Sequence, residues 1–213
     1  MSPAPSVTGL LLAPGASAGR EQPALVAIDQ AVSRLGLLVE RIDFPYRLAG
    51  RRRPDAPFVL VETVRASAQA LAAKAGTDFA CADPSARGAG AGTGSVVLGG
   101  RSMGGRICSM AVAEGLPAAG LVLVSYPLHP PGRPDKLRSD HFGSLKVPCL
   151  FVSGGHDAFA LPSELEAATR DIPGPVTHRW VDGDHGLKRR DSEVASLVAE
   201  WIQSLMSADA PKE

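Results

Sequence analysis

The sequence predicts an α/β fold: a doubly wound, mostly parallel sheet of about six strands with helices on both faces. Three observations predict it. Short apolar runs without polar alternation recur along the chain, as strands buried on both faces require. Between them lie stretches whose apolar residues follow helical spacing. The residues with the chemistry to build a site, Gly15, Ser102, Asp157 and His185, each fall just after one of the runs, where the strands of such a sheet end and ligands gather.

In chain order, residues 7–13 form the first run, ending at Pro14-Gly15 and followed by a loop, 15–20, that lacks the Lys-Ser/Thr pair of a phosphate loop. Residues 21–35 carry Leu25, Ile28, Val32 and Leu35 at helical spacing, with Gly36 as the stop. A second strand is expected over 37–44, leading to Pro45 and a loop with Arg51, Arg52 and Arg53. A second helix is expected over 59–71, with Val64, Ala68 and Leu71 on one face. The Gly88-Ala89-Gly90-Ala91-Gly92 run precedes a strand, whereas a dinucleotide motif follows one and opens a helix, so it reads as loop. Residues 107–113 continue the helix that begins after Ser102, and 121–124 are a strand. The segment from Ser125 to Gly132 is too proline-rich to be helical. Residues 150–152 and 176–181 supply two more strands, separated by a helix over 161–169. A helix over 194–206 closes the pattern.

With 213 residues the chain fits one domain, 1–213, with frayed ends at 1–6 and 207–213. The 22 basic and 22 acidic residues cancel, which removes the broad electrostatic case for nucleic acid or an anionic membrane as partner. Three arginines in one turn are a solvated loop rather than a phosphate-tracking groove. Cys81, Cys108 and Cys149 are odd in number and widely spaced, so neither a disulfide framework nor a metal site is expected, and no cofactor. The expected setting is the cytoplasm. Oligomeric state is left open.

Residues 95–106 carry the densest signal: an apolar strand runs into Gly100-Arg101-Ser102-Met103-Gly104 and then into helical sequence. This G-x-S-x-G pattern fits a strained strand-to-helix turn that lifts a serine hydroxyl above the sheet edge, with glycines where the two backbones pass closely. A serine hydroxyl needs a base, and the base needs a carboxylate to hold its tautomer. Ser102, Asp157 and His185 occur in that order, each on a strand-to-helix loop. They are the candidate catalytic triad. His156 is a rival base, and Asp182 and Asp184 are rival acids. Asp157 is preferred because the other two would have to reach the ring's far nitrogen through a tight local turn. His141 and His178 have no recognisable context.

On these residues the chain resembles small, cap-free α/β hydrolases of the dienelactone-hydrolase-like group. Ala13-Pro14-Gly15-Ala16, the elbow through Arg106 and the segment from Ser125 to Gly132 further resemble the branch that contains Tex-type testis proteins and a subunit of the human NSL acetyltransferase complex. Ser102 stands where dienelactone hydrolases use cysteine, and the chain starts at the strand equivalent to the third of the full fold, so the usual leading hairpin is not expected. The resemblance implies an oxyanion hole from the backbone N–H groups of Ala16 and Met103. It implies a serine hydrolase acting on a small-molecule ester or thioester. Arg101, His129 and Tyr126 are the candidate substrate-lining residues; the residues alone leave Arg101 open between steering an acidic substrate and pairing with a nearby carboxylate, and His129 between lining the site and holding a structural turn. The competing reading is a binding or scaffold protein on a retained hydrolase fold. Caps of such folds usually follow the strand ending near Val124, and only about two dozen residues separate it from the next strand, so the site is expected to be open.

Overall fold

The computed structural model describes residues 7–76 and 95–208. Six strands, β1 (Gly9–Ala13), β2 (Leu38–Arg41), β3 (Val96–Arg101), β4 (Gly120–Val124), β5 (Cys149–Gly154) and β6 (Val176–Val181), form one sheet in the order β2-β1-β3-β4-β5-β6. Every pairing is parallel, with Leu11 opposite Leu98 and Leu121 opposite Cys149. Side chains alternate between faces along each strand. Leu11, Leu98, Leu123 and Phe151 enter a core covered by α3 (Pro57–Lys74), α4 (Met103–Ala113) and α5 (Pro162–Thr169). Leu10, Leu12, Val97 and Val152 enter the opposite core, covered by α1 (Pro23–Ser33) and α6 (Asp191–Ala208). Burial of both faces is why β1, β3, β4 and β5 read as mainly apolar runs, whereas β2 and β6, at the sheet's edges, are partly exposed and carry Glu40, Arg41, His178 and Arg179.

Several boundaries differ from expectation. The first helix begins at Pro23 because proline, lacking an N–H, is suited to the first helical turn, and Gly36 at φ 83° follows its end. The second strand stops at Arg41, and Pro45 opens a single helical turn, α2 (Pro45–Leu48), within the expected strand and loop region. Its Tyr46 is fully buried. Ser207 and Ala208, expected to be frayed, lie in α6. Residues 1–6 and 209–213, Cys81 and the Gly88 to Gly92 run, for which the sequence sets expectations, lie outside the described residues. Cys108 and Cys149 are buried and unpaired. No described helix is long and apolar enough to cross a membrane.

The chain passes from β1 outward to β2 and then returns across β1 to β3, so the loops leaving β1 and β3 diverge and open a crevice at the carboxyl ends of the strands. Between β4 and β5, residues 125–148 carry one 3-10 turn, Phe142–Ser144, and no cap.

Candidate active site

Ser102 sits between β3 and α4 at φ 51° and ψ −117°, a conformation that costs a non-glycine residue about 1–3 kcal/mol and persists only where packing imposes it. The packing is explicit. A Cβ on either Gly100 or Gly104 would collide with the Ala13 carbonyl, so only glycine lets β3 and α4 pass against β1. The Ser102 N–H donates to the Val124 carbonyl at 2.8 Å, which ties the turn to β4.

His185 Nε2 lies 2.9 Å from Ser102 Oγ, and Nδ1 lies 2.8 Å from Asp157 Oδ2. Asp157 is fully buried, and its other oxygen accepts the Phe159 N–H at 2.8 Å. The Phe159 ring stacks on the imidazole, with centroids 4.1 Å apart. The carboxylate and ring come from the loops after β5 and β6, which approach so closely that a Cβ on Gly154 would strike the Gly183 carbonyl. The Gly155 and His156 amides donate to the Val181 and Gly183 carbonyls at 2.9 and 3.0 Å. Ser102, His185 and Asp157 thus stand in one hydrogen-bonded line. With Nδ1–H donated to the carboxylate, Nε2 is free to accept the serine proton.

The rivals stand elsewhere. Asp184 Oδ1 accepts the Gly186 N–H at 2.7 Å, and Asp182 pairs with Arg190 at 2.9 Å, so both serve their own turn. His156 is exposed beyond β5. His178 bonds Thr169 Oγ1 at 3.0 Å and stacks on Trp180. His141 Nε2 meets Ser109 Oγ at 2.8 Å, and burial, then the Arg106 charge, pushes its pKa down to about 4.

A cleft of about 480 Å³ opens over Ser102 and His185. Ala16 and Met103 line it. Met103 is the first residue of α4, where an N–H has no acceptor within the helix. The Ala16 loop is held from both sides, by the Gly15 N–H donating to Gln22 Oε1 at 3.1 Å and by Tyr46 Oη donating to the Ala16 carbonyl at 2.6 Å.

Two candidate lining residues require correction. Tyr126 is fully buried in the core against Phe142 and Phe151, with its hydroxyl donated to the Arg138 carbonyl at 2.6 Å, so it faces away from the cleft. His129 is also buried and borders a separate cavity. Its Nδ1 meets the Pro130 carbonyl at 2.9 Å and its Nε2 meets Glu164 at 3.1 Å. Arg101 does line the cleft, but among the described residues it is paired to no carboxylate; its Nη2 donates to the His185 and Gly186 carbonyls at 2.7 Å each. Sequence reading missed Gln22, Tyr46, Phe159 and Arg138. For Tyr46, the aromatic pair flanking Pro45 was the available signal. No group of three or more potential metal ligands occurs among the described residues.

The family profile described as an alpha/beta hydrolase domain matches residues 6–210, nearly the whole chain. The chain belongs to the alpha/beta hydrolase family. Among solved structures, this alpha/beta hydrolase is similar to an alpha-beta serine hydrolase homologue from Coxiella burnetii (20% identity, TM-score 0.70, 91% of this chain and 84% of that one). It is also similar to a dienelactone hydrolase from Anabaena variabilis (20% identity, TM-score 0.67, 93% and 87%). A third, Est1E from Butyrivibrio proteoclasticus with ferulic acid bound, is 14% identical with a TM-score of 0.72 over 93% and 90%. At these identities the likeness shows the fold.

Proposed function

We propose that this alpha/beta hydrolase is a serine hydrolase that cleaves a small ester or thioester through an acyl-enzyme. One observation carries the reading: the unbroken line from Ser102 Oγ through His185 to buried Asp157, at 2.9 and 2.8 Å, on a turn whose strain is imposed by Gly100 and Gly104.

In this reading Ser102 Oγ attacks the substrate carbonyl carbon while its proton passes to His185 Nε2. The resulting oxyanion is met by the backbone N–H groups of Ala16 and Met103, the second aided by the positive end of α4. The tetrahedral adduct collapses as the imidazolium protonates the departing alcohol or thiol, leaving the acyl group on Ser102. A water then gives its proton to His185 and attacks the acyl carbon, and Ser102 recovers its proton from the imidazolium as the acid leaves. Asp157 stays ionised throughout, holding the ring's tautomer and stabilising its cation. The Tex-type and NSL-subunit-like branch and a cytoplasmic location belong to the same proposal; the buried, unpaired Cys108 and Cys149 support a reducing setting.

The cleft is open and without a cap among the described residues, which favours short or medium acyl chains over long lipids. Turnover of 4-nitrophenyl acetate by wild type, Ser102→Ala and His185→Ala tests the reading. A loss on the order of 10⁴-fold in both folded variants supports it. Unchanged turnover in folded Ser102→Ala overturns it, and a strong rise in kcat/KM toward long acyl chains overturns the substrate size.

A further inference from the structure

Three arginines, Arg101, Arg106 and Arg138, line the cleft beside Ser102, and no carboxylate among the described residues lines it with them. Elsewhere in the molecule partly buried arginines carry a counter-charge: Arg41 meets Asp29 at 2.9 Å and Arg65 meets Glu62 at 3.2 Å. Among the described residues none of the three cleft arginines has a carboxylate within the 4.0 Å of an ion pair. The Nε atoms of Arg101 and Arg106 are covered and have no hydrogen-bond partner. Arg138 makes one long bond, 3.4 Å to the Pro127 carbonyl. Holding unpaired guanidinium groups partly out of water is costly unless something else meets them.

The negative groups nearby are already committed or too distant. Asp157 is occupied by His185 and the Phe159 N–H. Its field, with those of Asp184 and Asp191, reaches Arg101, whose Nη2 is spent on two backbone carbonyls. Asp140 is exposed and acts on His141 and Tyr126, but it forms no ion pair with Arg106 or Arg138. His141 stays neutral and relieves nothing. Burial lowers the Arg138 pKa, and the Arg106 charge lowers it further. Glu114 and Asp140 line a neighbouring cavity with the two arginines, but neither forms an ion pair with them, and no carboxylate among the described residues lines the cleft over Ser102.

We propose that the ester cleaved at Ser102 carries a phosphate group, seated on Arg106 and Arg138 about one helical turn from the scissile carbonyl. This rests on the hydrolase reading above. Arg106 follows Ser102 by four residues on the same face of α4, which sets it about 6 Å further along the axis. Two guanidinium groups without a carboxylate partner among the described residues match a dianion better than a single carboxylate, and planar guanidinium donors grip phosphate oxygens in pairs.

The test compares 4-acetoxyphenyl phosphate, 4-acetoxybenzoate and neutral 4-tolyl acetate, each kcat/KM divided by the ester's own hydroxide-catalysed rate to remove leaving-group reactivity. Wild type is expected to prefer the phosphate ester over the neutral one by at least about 10-fold, with the benzoate between them. The preference falls toward unity in Arg106→Met and Arg138→Met, and narrows as salt is raised. A wild-type ratio of one or less, a ratio unchanged in both variants, or a benzoate preferred over the phosphate overturns the proposal. If wild type hydrolyses none of the three esters, the hydrolase reading fails by itself. Calorimetry with inorganic phosphate then decides the anion seat: binding that weakens at least about 10-fold in Arg106→Met upholds it, and no binding to wild type overturns it.

Discussion

Arg101 Nη2 donates to the backbone carbonyl of His185 at 2.7 Å, so the residue immediately before the proposed nucleophile holds the loop that carries its base. The same nitrogen reaches the Gly186 carbonyl at 2.7 Å. Arg101→Met removes this brace and lets the imidazole drift, while the Ser102 turn keeps its glycines. Misplacement of a catalytic group by about 1 Å costs up to about 100-fold. The expected result is a kcat lowered by roughly 10- to 100-fold on a neutral ester with little change in KM, and partial recovery in Arg101→Lys. Equal changes in kcat and KM, or an unchanged kcat, would argue against a positioning role.

The acid is assigned by the 2.8 Å contact between Asp157 and His185 Nδ1. Asp157→Asn keeps the shape but offers the ring a donor where it needs an acceptor, and kcat is expected to fall by up to ~10⁴-fold. Asp182→Asn and Asp184→Asn, whose partners are Arg190 and the Gly186 N–H, are expected to cost only a few-fold. Steady-state kcat for the three variants at pH 8 decides it; a dead Asp184→Asn beside an active Asp157→Asn would move the acid.

Gly104→Ala tests the packing that imposes the turn. The new methyl meets the Ala13 carbonyl and lies 2.7 Å from the Pro14 carbonyl oxygen, both rigid backbone. The expected cost is about 3 kcal/mol or more, seen as a large drop in Tm or failure to fold. Gly143→Ala, where the nearest atom lies 4.0 Å away, is the control and is expected to stay within about 0.5 kcal/mol of wild type. A Gly104→Ala protein as stable as wild type would contradict the account of the elbow.

The His129 and Glu164 pair gives a pH signature. Burial lowers the His129 pKa, but bonds to the Pro130 carbonyl and Glu164, with the Glu164 charge, outweigh this and raise it above 6.5; the bond from His129 lowers Glu164 below 4.5. The histidine's contribution is therefore complete below pH 6.5 and lost as pH rises through its raised value. The glutamate's is complete above pH 4.5 and lost as pH falls through its lowered value. Together they predict that wild type exceeds Glu164→Gln in stability most between about pH 4.5 and 6.5, with the gap narrowing toward pH 9. Denaturant midpoints across that range check it, and a gap that widens with pH would contradict the pairing.

The sheet was legible because the four inner strands are buried runs with period-two side chains shared between two cores, and the nucleophile directly follows one of them while the acid and base lie in the loops just after β5 and β6. Residues 125–132 were harder. Their prolines exclude helix but do not say which side chains turn inward, and the chain buries Tyr126 and His129 while bringing Arg138 to the cleft. Phe159 and Tyr46 were hidden for another reason. Each acts across distant loops, one stacked on His185 and one bonded to Ala16, so a local pattern such as the aromatic pair flanking Pro45 does not show what the side chain meets. Arg106 was visible within the elbow sequence, yet its lack of a carboxylate partner is a property of the folded surroundings.

The central claim, that Ser102 is an activated nucleophile, is tested most directly by treating the folded protein with a fluorophosphonate probe and measuring intact mass followed by peptide mapping. One stoichiometric phosphonyl adduct on Ser102 is expected, absent in Ser102→Ala and formed at least about 10³-fold more slowly in His185→Ala. A wild-type protein that stays unlabelled, or one labelled at another residue with Ser102 untouched, would contradict it.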